Sequence, residues 1–308
     1  MSRVSSVSRA SGGSSFAFRI CVILNAIFTP AIASITSTGG AGPDENLGFS
    51  AEAALSPNAL SPNALSPNAL SPNALSPNAL GPAAMSAGAM TAIQDPGEAG
   101  DLSRQLLRYT VGCAFTTNQT FDFTWTDQNG TAHAESYHGL VGLAPGWATQ
   151  PLDPAGQQWV SACLASRVNA LGVSVMLSLR GSNPVLTSTA SERATYSTRE
   201  GVFFGNLFAS TPRIYACFDP VSMVPSQLAH RVCAQPDLLA LNPSDLLSGY
   251  DCGPIHVIGP CFGLVGLSLV GVCDHEDFTS RYLDDCTPPG GSQPVASITT
   301  FLQGPIPW

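Results

Sequence analysis

Over residues 154–171 the apolar positions fall three and four apart. Trp159, Val160, Cys163, Leu164, Val168 and Leu171 trace one helical face, while Gln157, Gln158, Ser161, Ser166 and Asn169 fall on the other. Asp153-Pro154 suits a helix start, because the carboxylate can accept from free first-turn amides and proline fits a position whose N–H would go unpaired. Gly172 can take the left-handed conformation that closes a helix. Val173, Val175, Leu177 and Leu179 then alternate with Ser174, Met176, Ser178 and Arg180, the period of a half-buried strand. The pattern predicts a helix of about five turns feeding a strand.

The same reading places other elements around this pair. Residues 121–126 alternate strictly, Asp127-Gln128-Asn129-Gly130 supplies a turn that tolerates positive φ, and residues 131–137 alternate again, which predicts a β-hairpin. Leu102, Leu106, Leu107, Tyr109 and Val111 suggest a helix, or a helix passing into a strand near Cys113. Residues 139–147 form a compact apolar loop. Beyond Arg180 the signals are a short helix over 191–200, strands at 202–204, 213–218 and 296–302, and one or two glycine-punctuated strands within 262–272. The expected class is α+β: a disulfide-stapled mixed or antiparallel β-sheet packed by one long helix, spanning residues 101–308 and preceded by a disordered spacer.

That spacer is read over residues 34–100. Five identical Ser-Pro-Asn-Ala-Leu pentads occupy 56–80, flanked by AEAAL, GPAAM and SAGAM. Proline at every fifth place forbids a continuous helix or central strand, and large apolar groups are few. A semi-extended, proline-stiffened segment follows. The alternative is a repeat that binds a partner through exposed leucines.

Residues 1–33 read as a signal peptide. Arg3, Arg9 and Arg19 precede a short apolar run over 20–28, Pro30 interrupts it, and Ala31-Ile32-Ala33 is a small-x-small cleavage site. The run is shorter than the about 20 residues that span a bilayer, so no transmembrane segment is expected in the mature chain. Eight cysteines remain after Cys21 is removed: Cys113, Cys163, Cys217, Cys233, Cys252, Cys261, Cys273 and Cys286. An even number in an exported chain predicts four disulfides, with the pairing left open.

Charge excludes further classes. All 12 basic residues are arginine, and the net charge is −9. Without lysine there is no P-loop and no Schiff base, and an acidic chain does not displace counterions from nucleic acid. The pentads, together with LLRYTVGCA, GLVGLAPGW, QWVSACLASRVNALGVSV and REGVFFGNLF, resemble a group of secreted bacterial proteins carrying Pro-Asn-Ala-Leu repeats. The resemblance covers residues 56–210 firmly and the remainder loosely. It implies export and a shared fold, and it assigns no activity or catalytic residue.

Candidate chemistry is sparse. His133, Glu135 and Tyr137 share one face of the second hairpin strand, but His133-Ala134-Glu135 lacks the P-C-x-x-C of zinc deaminases and is not H-E-x-x-H, so a solvated hairpin face is expected. Asp274, Glu276 and Asp277 lie in the densest run of oxygen ligands, where calcium is the one ion left open; the spacing is not that of an EF-hand. A glycosidase needs paired carboxylates, and Glu200 is the best single candidate, its structural counterpart being an ion pair with a neighbouring arginine. Gly266-Leu267-Ser268-Leu269-Val270 lacks the second glycine of a nucleophile elbow. The expected function is a non-catalytic secreted or surface-exposed module, and the alternative is a secreted hydrolase acting on glycan or peptide. Convergence of His133, Glu135, Glu200 and Glu276 on one cleft would separate the two. No cofactor is expected.

Overall fold

In the computed structural model, which describes residues 55–57, 60, 62–65, 75, 78–170, 174–219, 228, 231–233, 250–262, 264–265, 268–269 and 272–304, the folded region starts upstream of the boundary expected at Asp101. Helix α1 (Ala87–Gln94) is capped by Ser86, whose hydroxyl accepts from the Ala89 amide. Helix α2 (Glu98–Ala114) follows at once, so 101 falls inside a helix, and the strand considered near Cys113 is helical. Residues 1–33, expected to be a signal peptide, and residues 34–54 lie outside the described residues.

The predicted hairpin is present as β2 (Thr120–Thr126) and β3 (Ala132–His138), turning at Gly130 with φ 82°. Its register pairs Phe121 with Tyr137, Phe123 with Glu135 and Trp125 with His133. These residues face inward, which corrects the expected solvated face: Phe121, Phe123 and Tyr137 are buried, and Arg104 and Arg108 of α2 lie over the Trp125 and Tyr137 rings. Four aromatic rings on one face, Phe121, Phe123, Trp125 and Tyr137, outweigh His133 and Glu135 among them.

Burial, with a smaller push from Glu135, raises the Tyr137 phenol to about 12. An unfolded tyrosine ionises near 10, so the stability gained by keeping Tyr137 protonated is whole below about pH 10 and is lost as pH rises toward 12. Burial, with Asp277 and Asp284, raises the Tyr282 phenol as well, so an ultraviolet titration of phenolate is expected to show late ionisation that Tyr137→Phe reduces by one group.

Helix α3 (Pro154–Ser166) begins as predicted, with the Asp153 carboxylate accepting from the Gly156 amide, but it is shorter than the expected five turns. The residues that would extend it are paired elsewhere. Leu60 donates its amide to the Arg167 carbonyl and accepts from the Asn169 amide, and Ala170 donates to the Arg231 carbonyl. Gly172, expected to close the helix, lies outside the described residues. The helix is also buried more fully than a two-faced pattern allows: Ser161 and Ser166, expected outside, are fully buried, and the Ser161 hydroxyl accepts from the Leu207 amide. Trp159, expected on the buried stripe, is half-buried.

α3 lies on a seven-stranded sheet. Its strands are β1 (Leu55–Pro57), β4 (Met176–Arg180), β5 (Thr198–Asn206), β6 (Arg213–Phe218), β7 (Tyr250–Cys252), β8 (Ile255–Pro260) and β13 (Ser297–Leu302). The order is β1-β4-β13-β5-β6-β8-β7, antiparallel except for the β6–β8 pair. Two small hairpins join it, β9 (Leu264–Val265) with β10 (Ser268–Leu269), and β11 (Cys273–Glu276) with β12 (Leu283–Cys286). Helix α4 (Ala190–Thr195) sits before β5. The class is α+β, as expected.

The pentads contribute to this core where they are described. Leu60, Leu65, Leu75 and Leu80, each the last residue of a pentad, are buried. The Leu80 amide donates to the Trp147 carbonyl, and Trp147 Nε1 donates to the Asn78 carbonyl.

The cysteines close into four disulfides, Cys113–Cys163, Cys217–Cys261, Cys233–Cys252 and Cys273–Cys286. The first ties α2 to α3. The second and fourth sit with Val202, Phe204 and Leu283 in a smaller core on the sheet face opposite α3. Among the described residues no helix is long and apolar enough to cross a membrane, which with the disulfides is compatible with an extracellular location.

Candidate ligand-binding groove

The sequence candidates do not assemble into one catalytic cleft. Glu200 sits at a bulge, where the register of β13 on β5 jumps from Thr300↔Gly201 to Phe301↔Arg199. The extra residue points its carboxylate into the interior. There Arg231 binds it bidentately, Nε to Oε1 at 2.6 Å and Nη2 to Oε2 at 2.8 Å, and the Thr300 hydroxyl donates to Oε2 at 2.8 Å. Both partners are fully buried. A carboxylate held this way has no access to substrate or water, so Glu200 is a structural residue. Its partner is an arginine, as the alternative had it, but one lying 31 positions away.

The adjacent arginine pairs differently. Arg199 Nε donates to Asp219 Oδ2 at 2.6 Å, and its Nη1 donates to Glu276 Oε1 at 2.6 Å. Glu276 is thereby bound to a guanidinium rather than open to a cation. Asp274 is exposed, and Asp277 spends Oδ1 on the Ser280 amide. Among the described residues no group of three or more His, Cys, Asp or Glu is placed to hold a metal ion. On the hairpin, Glu135 accepts from Trp125 Nε1, and His133 stacks on Trp125 and pairs with Asp127 at 3.1 Å.

A groove lies elsewhere, between two turns. One wall is the segment after β4: Gly181, Ser182, Asn183, Pro184, Leu186 and Thr187. The other is the β11–β12 turn, which contributes Asp277, Thr279, Ser280 and Tyr282. The space between them is about 350 Å³. Gly181 starts the first wall because a Cβ there would meet the Ser297 carbonyl at 2.8 Å and Leu186 at 3.1 Å, so only glycine lets the chain leave so close to β13. Asn183 then caps a short 3-10 turn by accepting from the Val185 amide.

Two buried arginines hold the second wall in place. Arg180 Nη1 donates to the Ser280 carbonyl at 3.0 Å, and Arg199 Nη1 to the Arg281 carbonyl at 3.1 Å. Arg180 is 1 % exposed, stacks 3.7 Å over Phe301, and gives Nε to the Ser178 hydroxyl, which itself donates to Glu192. Burial lowers the Arg180 guanidinium to about 10, and the Glu192 charge works against that fall. Within the turn, Asp277 accepts from Ser280 and Arg281, and Arg281 adopts φ 61°, a conformation that a side chain of its size rarely takes. Such backbone strain persists where the surroundings over-determine it.

This fixed turn carries Phe278, between two lining residues, with 86 % of its surface exposed. Among the described residues it is the large apolar side chain left in solvent. Periodicity could not find it, because a single exposed aromatic in a turn belongs to no pattern. The arginines were missed for a related reason: Arg180 ends an alternating strand and reads as its solvent side. No protein-family model, curated protein or solved structure matches this chain.

Proposed function

We propose that this chain is exported and works outside the cell as a non-catalytic binding module, with the groove between residues 181–187 and 277–282 as its recognition surface. The observation that carries this reading is Phe278, exposed to 86 % on a turn fixed by two buried arginines. An exposed aromatic costs solubility, and a buried guanidinium costs several kcal/mol of hydration unless every donor is used. An arrangement that sustains both holds a contact residue ready, so little ordering remains to be done on binding. The hydrolase reading loses its main support with Glu200 sealed on Arg231 and Glu276 held by Arg199.

The test is retention on washed envelopes of the producing organism, using the exported, disulfide-intact chain. Phe278→Ala is expected to cut retention about tenfold or more, as truncating a central aromatic anchor does. Its thermal midpoint should be unchanged, because so exposed a residue shifts stability by less than about 0.5 kcal/mol. Equal retention by parent and variant, or release of soluble fragments from the envelopes, would refute the module.

A further inference from the structure

The chemistry of the groove narrows what it can take, and the argument rests on the binding-module reading above. Its polar lining is mostly neutral: hydroxyls of Ser182, Thr187, Thr279, Ser280 and Tyr282, and the Asn183 amide. Hydroxyls both donate and accept, and an amide nitrogen donates twice, so such a lining pairs with groups that do the same. The one carboxylate is Asp277, already accepting from the Ser280 amide through Oδ1. Two guanidiniums lie at the turn, but Arg180 and Arg199 spend donors on main-chain carbonyls and carboxylates behind it. Arg281 directs Nη1 to the Ser197 carbonyl.

Each alternative ligand class lacks something. An anionic ligand would meet Asp277 with neighbouring Asp284, in a chain of net charge −9. A cation finds a single carboxylate where hard cations take six to eight oxygens. A purely apolar ligand would strand the hydroxyls. A space of about 350 Å³ is near the low end of small-molecule sites, about 300–1,000 Å³.

We infer that the groove binds an uncharged, hydroxyl-rich chain, a neutral glycan segment, with its hydroxyl edge on the groove lining and a C–H face against the Phe278 ring. A pyranose carries both surfaces: hydroxyls around its rim and patches of slightly positive C–H that suit the negative face of an aromatic ring. The groove lining is polar, and Phe278 stands exposed between the lining residues Asp277 and Thr279, so one turn offers both surfaces.

The experiment compares envelopes treated with periodate, which cleaves vicinal diols, with envelopes treated with protease. It adds calorimetric titration of the chain with neutral and acidic oligohexoses. Periodate is expected to abolish retention and protease to spare it. A neutral oligohexose should bind saturably, with Phe278→Ala weakening it about tenfold or more and Phe278→Trp retaining it. Protease-sensitive, periodate-resistant retention would overturn the glycan and leave a protein-binding module. Retention on protein-free phospholipid vesicles would overturn it in favour of a membrane surface. Acidic oligohexoses binding better than neutral ones would overturn the neutral ligand. Loss of retention in every arm, untreated envelopes included, would instead remove the module itself.

Discussion

Arg231→Ala is expected to destabilise the domain by about 3–5 kcal/mol, the cost of leaving a buried charge without its partner. The guanidinium closes a fully buried knot. Its Nε and Nη2 occupy both oxygens of Glu200, and its Nη1 donates to the Ser166 and Val168 carbonyls where α3 ends. Alanine removes all of these donors and leaves the Glu200 carboxylate with only the Thr300 hydroxyl. A domain held by roughly 5–15 kcal/mol loses much of its margin. Replacing both partners, Arg231→Met with Glu200→Leu, should recover most of the loss, because an apolar pair leaves no charge stranded. Urea midpoints of the parent, single and double variants give the order. If the single variant were as stable as the double, the pair would not be sealed from water.

Leu80→Ala should cost about 2–5 kcal/mol, as truncating a buried leucine does. Leu80 is 2 % exposed, and its amide binds the carbonyl of Trp147, whose ring packs edge-on against Phe208 at 5.6 Å. The loss therefore falls on the main core, at the last residue of a pentad identical to the four before it. A leucine in a loose spacer would give less than about 0.5 kcal/mol, as surface changes do. Denaturant midpoints separate the two cleanly, and a change below that limit would return the last pentad to the spacer.

These two residues also show what was legible in the sequence. The β2–β3 hairpin, the start of α3 and the strands around Phe203 and Ile214 rest on local alternation, turn chemistry and capping, all visible within a few residues. The end of α3 was not legible, because Leu60 and Arg231 take the backbone groups of residues 167–170 from far along the chain. Nor could pentad leucines announce themselves, since a spacing of five matches neither the helical nor the strand period. In the groove, Asp277 was singled out as a cation ligand, yet its carboxylate shapes a turn. Arg180, Phe278 and Tyr282 passed unmarked because their roles depend on two turns nearly one hundred positions apart, brought together by Arg180 and Ser280.

The two margins of the seven-stranded sheet bear on how the protein behaves when concentrated. As described, each margin is a strand of three residues, Leu55–Pro57 on one side and Tyr250–Cys252 on the other. An arriving polypeptide needs a row of free amides and carbonyls to extend a sheet, and both margins offer a very short one. Pro57 has no amide to give, and Asp251, 74 % exposed through its side chain, brings a charge to the other margin. Molecules crowded together therefore meet, among the described residues, edges poorly suited to extending a sheet from one chain into the next.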